Sequence, residues 1–214
     1  MAININFLIS LFFVFIISIN SYSQEQQYTD NEDIDMFEKI NDALQTTPKF
    51  YFSFDTKNTF ISNRRGTFFG FKIGAEYDKL FRYGLGFNTL YNKTYANIVN
   101  GIKESEEALN FNYLSIFAEY IFYNDKPKYE FSMPINLGFG YSWLSDNIST
   151  TGHFMLLYEA QLNGMYFPIK FFGIGAGVGY RIMLINNPHI DEQFTAPIYS
   201  FRAKLILGKL FNNE

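Results

Sequence analysis

A chain of 214 residues with no composition break is long enough for one domain with a sizeable core. Aromatic residues make up 20% of it, 26 Phe and 16 Tyr against one Trp, while charged residues reach only 18%, an unusual balance for a water-soluble domain. The net charge of -4, with scattered basic residues, lacks the footprint of nucleic-acid binding; the absence of cysteine excludes disulfides, thiolate metal sites, a cysteine nucleophile and lipid attachment through an N-terminal cysteine.

Phe7 to Ile19 reads FLISLFFVFIISI, too short to span a bilayer comfortably but the right length for the core of a signal peptide. Ser21 and Ser23 supply small residues at alternate positions, so cleavage after Ser23 is expected, and 1–23 reads as a signal peptide despite an n-region without Lys or Arg. The alternative is an uncleaved anchor. Beyond Ile19 no apolar run reaches the ~18 residues of a membrane helix, so further insertion must use strands.

Residues 24–47 form a second segment. From Asp30 to Leu44 the residues Ile34, Phe37, Ile40 and Leu44 recur at helical spacing, and Glu32, Asp33 and Asp35 sit near the N-terminal end, where the helix dipole favours anions. A short amphipathic helix is expected, ended by Thr46-Thr47-Pro48. It could rest against a rim, plug a lumen or dock a partner.

From residue 48 onward, segments of about ten residues alternate large apolar residues with Gly, polar or charged ones, the period of a strand with two different faces. Eight are readable, over 49–55, 67–77, 81–91, 111–123, 129–143, 154–166, 170–184 and 198–211. The clearest sets Tyr129, Phe131, Met133, Ile135, Leu137, Phe139, Tyr141 and Trp143 on one face and Glu130, Ser132, Pro134, Asn136, Gly138, Gly140 and Ser142 on the other. Pro134 suggests a bulge. Residues 172–182 and 82–88 repeat the pattern with Gly-rich opposite faces. In 111–123 both faces are apolar, through Phe111, Tyr113, Phe117 and Ile121, and the register there is the hardest to read.

The connections alternate long and short: 56–66 long, 78–80 short, 92–110 long, 124–128 short, 144–153 long, 167–169 short, 185–197 long. That is the habit of transmembrane barrels, with short periplasmic turns and longer external loops, and it places both termini on the periplasmic side. The fold class expected is all-β, an antiparallel up-and-down transmembrane β-barrel of about eight strands over 48–214, with a short periplasmic helix before it. A soluble sandwich or lipocalin-like barrel is the competing fold, and would turn the aromatic rows inward.

Aromatic residues also gather near strand ends, at Tyr77, Phe81, Tyr91, Tyr123, Tyr129, Trp143, Tyr166 and Tyr199, as suits the lipid headgroup level. In these patterns the chain from Pro48 on resembles the small outer-membrane β-barrel domain family, the OmpX/OmpW/PorT-like barrels. Members typically end on a terminal aromatic; here Phe211 is followed by Asn212-Asn213-Glu214. The resemblance implies an outer-membrane location, with outer-membrane lipid and envelope proteins as partners. No cofactor, metal or nucleic acid is expected.

An enzyme is not expected. His153 and His189 are the only histidines, with Asp146, Ser149, Glu159 and Asp191 near them in sequence, and no His-x-Ser motif of outer-membrane lipid deacylases occurs. Glu104, Glu106 and Glu107 read as a solvated acidic run or a weak divalent-cation site. The polar faces instead supply Asp55, Glu76, Glu119, Glu130 and Glu159 against Lys72, Arg82, Arg181, Arg202 and Lys204. Five charges of each sign predict a paired network in a lumen filled by side chains, with the Gly rows leaving room for long Lys and Arg. The function expected is a structural or binding role in the cell envelope. The alternatives are a passage for small or hydrophobic molecules, or an accessory of an envelope secretion or assembly system.

Overall fold

The computed structural model describes residues 36–61, 64–91, 94–97, 106–126, 128–144, 152–188 and 194–206. The expected signal peptide, the start of the expected helix and residues 207–214 lie outside them. Among the described residues one helix, α1 (Met36–Leu44), precedes nine strands: β1 (Lys49–Ile61), β2 (Arg64–Tyr77), β3 (Phe81–Leu90), β4 (Thr94–Asn97), β5 (Glu106–Lys126), β6 (Tyr129–Leu144), β7 (His153–Ile169), β8 (Phe172–Ile185) and β9 (Ala196–Ile206). Every pairing is antiparallel. Neighbours in sequence pair, β1 also pairs with β9, and β3 pairs with β5, so the sheet closes on itself. The four-residue β4 continues the line of β3 along the upper part of β5, which leaves eight staves. Closure removes the open edges that a lone sheet would present.

Period-2 alternation decides which way each stave faces. On β6 the row from Tyr129 to Tyr141 is 38–48% exposed at every second residue, while Glu130, Ser132 and Asn136 are buried. Cross-strand rings meet on the same outer surface, Phe52 with Phe71, Phe71 with Phe87 and Tyr129 with Tyr166. A soluble monomer rarely exposes more than a few hundred Å² of contiguous apolar surface, and here an aromatic coat runs around the wall. The lipocalin-like alternative therefore fails: the aromatic rows point outward. No helix among the described residues is long and apolar enough to cross a membrane, and crossing falls to the strands.

Two expectations are corrected. The connection placed at 56–66 is not a long loop, because the β1–β2 ladder continues to Ile61↔Arg64. The polar residues Lys57 and Thr59 that suggested a loop are buried lumen residues, and Phe60 keeps the outward alternation. Pro134 makes no bulge. It pairs in register with Glu119 on β5, and the β6–β7 register is the same on either side of it; a missing N–H removes a rung without inserting a residue. On β5 the irregularity comes instead near its lower end, between Ile121 and Tyr123.

The β2–β3 turn is tight. Tyr77 O accepts from Leu80 N at 3.0 Å, and Asp78 and Lys79 both have positive φ, 45° and 53°, the pattern of a type I′ hairpin turn. Helix α1 ends where Thr46 turns back, its N and Oγ1 both donating to Ala43 O at 3.0 and 2.7 Å. Met36, Phe37 and Leu44 are exposed, and Ala43 is the one buried residue of the helix. Among the described residues, none of this helix belongs to either apolar cluster inside the barrel.

The barrel's inside is a packed core arranged in strata. At the end where the tight turns lie, Tyr51, Phe117, Met165, Phe167 and Ile206 form an apolar cluster. At the other end Ile61, Phe68, Leu109, Phe111, Leu144, Met155, Leu157 and Phe194 form a larger one. Phe194 enters from the β8–β9 connection and meets Phe111 edge-on at 5.3 Å. Both faces of β5 are apolar because its inward Phe111, Tyr113 and Phe117 build these caps and Ile121 is buried on the same face, while Leu114, Ile116 and Phe122 face outward. The inward glycines make room for more than cations: a Cβ at Gly140 would stand 2.6 Å from Tyr113 Cβ and one at Gly173 2.6 Å from the Phe167 ring. At Gly84 the neighbour is backbone, Ile73 O at 2.1 Å, which permits the close approach of β3 to β2.

Candidate functional site

Between the apolar caps lie the charges. The ten side chains singled out from the sequence are all in the lumen, and none is more than 6% exposed. Alternation alone sends them there, since each shares the inward face of its stave with Gly, Ser or Asn.

The lower stratum joins six staves. Arg82 on β3 donates through Nε to Glu76 at 2.7 Å and through both terminal nitrogens to Glu130 at 2.8 and 2.5 Å, a bidentate fork. Lys204 donates to the same Glu130 at 2.9 Å. Glu119 accepts from Arg202 at 3.1 Å and from Ser132 at 2.6 Å, and its second oxygen is 3.6 Å from Arg82. Asn163, with its amide oxygen turned toward Arg202, accepts from that guanidinium at 3.1 and 3.3 Å. Three carboxylates thus meet three cations.

The upper stratum is smaller and tighter. Glu159 accepts from Lys57 at 2.6 Å, from Arg181 at 2.8 and 2.7 Å, and from the Tyr113 hydroxyl at 2.9 Å. Lys57 and Arg181 also donate to the Tyr113 oxygen at 3.0 and 3.2 Å. The Arg181 guanidinium lies 4.4 Å from the centre of the Phe68 ring, so the upper apolar cap and the ion cluster are in contact.

Between them, pairing is looser. Lys72 donates to Asn136 at 2.8 Å and stands 4.0 Å from Asp55, which is itself 3.9 Å from Arg202. Neither oxygen of Asp55 has a hydrogen-bond partner, and the same holds for the Asn88 amide and the Ser53 and Ser115 hydroxyls. Groups so buried are normally satisfied by protein or by ordered water.

Sequence reading missed Lys57. It belongs to the upper cluster with no exposure, and its signal was present: Asp55, Lys57 and Thr59 continue the inward series against Phe54, Thr56, Asn58 and Phe60. With Lys57 the described lumen holds six cations and five carboxylates, not five of each. Glu159 is committed to Lys57 and Arg181, which removes it from any partnership with His153; His153 pairs across the strands with Ser142. Asp146, Ser149, His189, Asp191 and Glu104 fall outside the described residues, as do the side chains of Glu106 and Glu107.

No family model matches the sequence, and no curated protein matches it either. The fold does match solved structures of small outer-membrane barrels. Neisserial surface protein A superposes with a TM-score of 0.55 at 13% identity, over 73% of this chain and 96% of that one. The N-terminal β-barrel domain of Pseudomonas aeruginosa OprF gives 0.51 at 11% identity, over 74% and 98%. At such identities the likeness establishes the fold: an eight-stranded barrel of the small outer-membrane type.

Proposed function

We propose that this chain is an integral outer-membrane β-barrel whose own side chains fill the lumen, and that it serves the envelope as a structural or binding element, not as a pore. The observation that carries the reading is the stratified interior: two apolar caps enclosing two ion-paired layers and a polar layer between them. An aqueous channel needs a continuous polar path, and a passage for small or hydrophobic molecules would require both caps and both ion layers to part together.

The reading includes an orientation. Their number is even, so both ends of the barrel segment lie on one side. The connections on that side are the tight ones at 78–80, 127–128 and 170–171, whereas on the other side 62–63 is also short but 145–152 and 186–195 are longer. This supports periplasmic termini and external longer connections. Outer-membrane lipid then covers the aromatic wall. The exposed Phe37 and Leu44 of α1 and the external connections are where envelope proteins would be met.

Cell fractionation with gel migration tests the reading. The mature protein should be recovered with the outer membrane and run faster unheated than boiled; recovery as a soluble periplasmic protein would overturn it. An epitope inserted near Ser105 should be labelled on intact cells, and labelling only after the membrane is opened would reverse the topology.

A further inference from the structure

The outer wall is not evenly filled. Where β1, β2 and β3 lie side by side, large rings meet across the strands, Phe52 with Phe71 and Phe71 with Phe87. Across β6, β7, β8 and β9 one straight row of outward residues runs Phe131, Gly164, Ala176, Phe201. Two small residues between two phenylalanines leave a groove of about 580 Å³, bordered toward the tight turns by Tyr166 and Ile174 of the next row. In line with it, four residues up β7, a second hollow of about 450 Å³ surrounds Ala160 between Met133, Tyr180 and Tyr199.

Gly164 is what opens the groove. Every other glycine in a described strand faces the lumen, whereas Gly164 faces outward, and a Cβ built on it would meet only the Phe131 ring, at 3.2 Å. Glycine weakens a strand, and inside one it marks a place where something else comes close. At the foot of the groove the chemistry changes. The rings of Tyr129 and Tyr166 pair across the strands with centres 5.3 Å apart, and the turns just below them carry the exposed Lys128 and Lys170. Phe167 N donates to Lys128 O at 2.8 Å, which ties the first of these turns to β7. Both turn sequences, Asp125-Lys126-Pro127-Lys128 and Pro168-Ile169-Lys170-Phe171, carry a net positive charge.

We infer that the groove is a binding site for one phospholipid of the leaflet on the tight-turn side, with an alkyl chain against Gly164 and Ala176, its ester level at the paired rings of Tyr129 and Tyr166, and a net negative phosphodiester headgroup at Lys128 and Lys170. The inference rests on the reading that lipid covers this wall. Within a bilayer, association depends on van der Waals packing, and a hollow between phenylalanines gives an alkyl chain more contact than the filled sector does. Rings with a hydroxyl suit the headgroup boundary, and lysines beside it attract anionic lipid. A second copy of this chain fits less well. Two copies related by an axis along the membrane normal would present the groove to each other at equal height and bring like lysines together.

The experiment is native mass spectrometry of the full mature barrel in detergent, with equimolar phosphatidylglycerol and phosphatidylcholine of identical chains. The wild type should keep one phosphatidylglycerol per barrel, in preference to phosphatidylcholine by at least about fivefold, the effect of one lysine beside an anionic headgroup. Gly164→Leu should lose the bound lipid because its side chain fills the groove, and Ala176→Leu does the same from the neighbouring stave should the first variant not fold. Lys128→Gln combined with Lys170→Gln should still keep one lipid but take the two lipids equally. No lipid retained by the wild type, equal retention of both lipids by the wild type, unchanged retention in a folded groove-filling variant, or a dimer in place of the lipid adduct would overturn the site. A barrel that stays soluble without detergent would refute the membrane reading, while a folded, detergent-solubilised barrel that keeps no phosphatidylglycerol refutes the groove alone.

Discussion

Replacing Glu159 by Leu removes the acceptor of four short hydrogen bonds, from Lys57, Arg181 and Tyr113, and leaves two cations facing each other in a space with no exposure. Breaking one partner out of a buried ion cluster costs about 3–5 kcal/mol, because the remaining charge is stranded. For a chain of this size 1 kcal/mol moves the thermal midpoint by roughly 2–4 °C, so Glu159→Leu should unfold some 6–20 °C below the wild type. The partner experiment removes the whole cluster: Lys57→Met, Glu159→Leu and Arg181→Met together replace it with apolar side chains between Phe68, Tyr113 and Leu157. That exchange is neutral or stabilising by about 1–4 kcal/mol when the packing is good, and the triple variant should recover most of the lost midpoint. The assay is gel heat-modifiability across temperature, read as the fraction migrating in the folded position. A single variant within 2 °C of the wild type, or a triple variant no better than the single, would refute the view that the upper stratum is a desolvated, mutually compensating cluster.

Other predictions test separate links. Lys79→Gly should stabilise the barrel by about 1 kcal/mol, measured by denaturant midpoint, because Lys79 holds a positive φ that glycine adopts without penalty. Gly84→Val should lower folding yield and the unfolding midpoint by more than about 2 kcal/mol, since its Cβ would meet Ile73 O at 2.1 Å and Gly74 Cα at 2.6 Å; wild-type yield would contradict the close β2–β3 approach. Phe194→Ala should cost about 3–5 kcal/mol by the same assay, as for any fully buried phenylalanine, and a change below 1 kcal/mol would show that the β8–β9 connection does not cap the lumen.

Much of this architecture was legible in the sequence because a membrane barrel reads with period 2 and its two faces meet opposite solvents. The row from Tyr129 to Tyr141 against Glu130, Ser132 and Asn136 needs no other information, and the same alternation sends Arg82, Glu159 and Arg181 inward. Periodicity fails where both faces have the same polarity. On β5 the inward Phe111 and Phe117 and the outward Leu114 and Ile116 look alike, and only three-dimensional stacking with Phe68 and Tyr51 distinguishes cap from wall. It fails in the opposite sense at 57–59, where inward polar residues near a strand end mimic a loop, so that Lys57 was passed over. Nothing local marks Phe194 either, an aromatic in a connection that turns back into the lumen.

The sealed lumen is tested most directly by planar-bilayer recording on the purified wild-type protein. Two apolar caps in series with two ion-paired strata should give near silence over the voltage range in which porins conduct. Steady porin-sized conductance from the wild type would contradict the account.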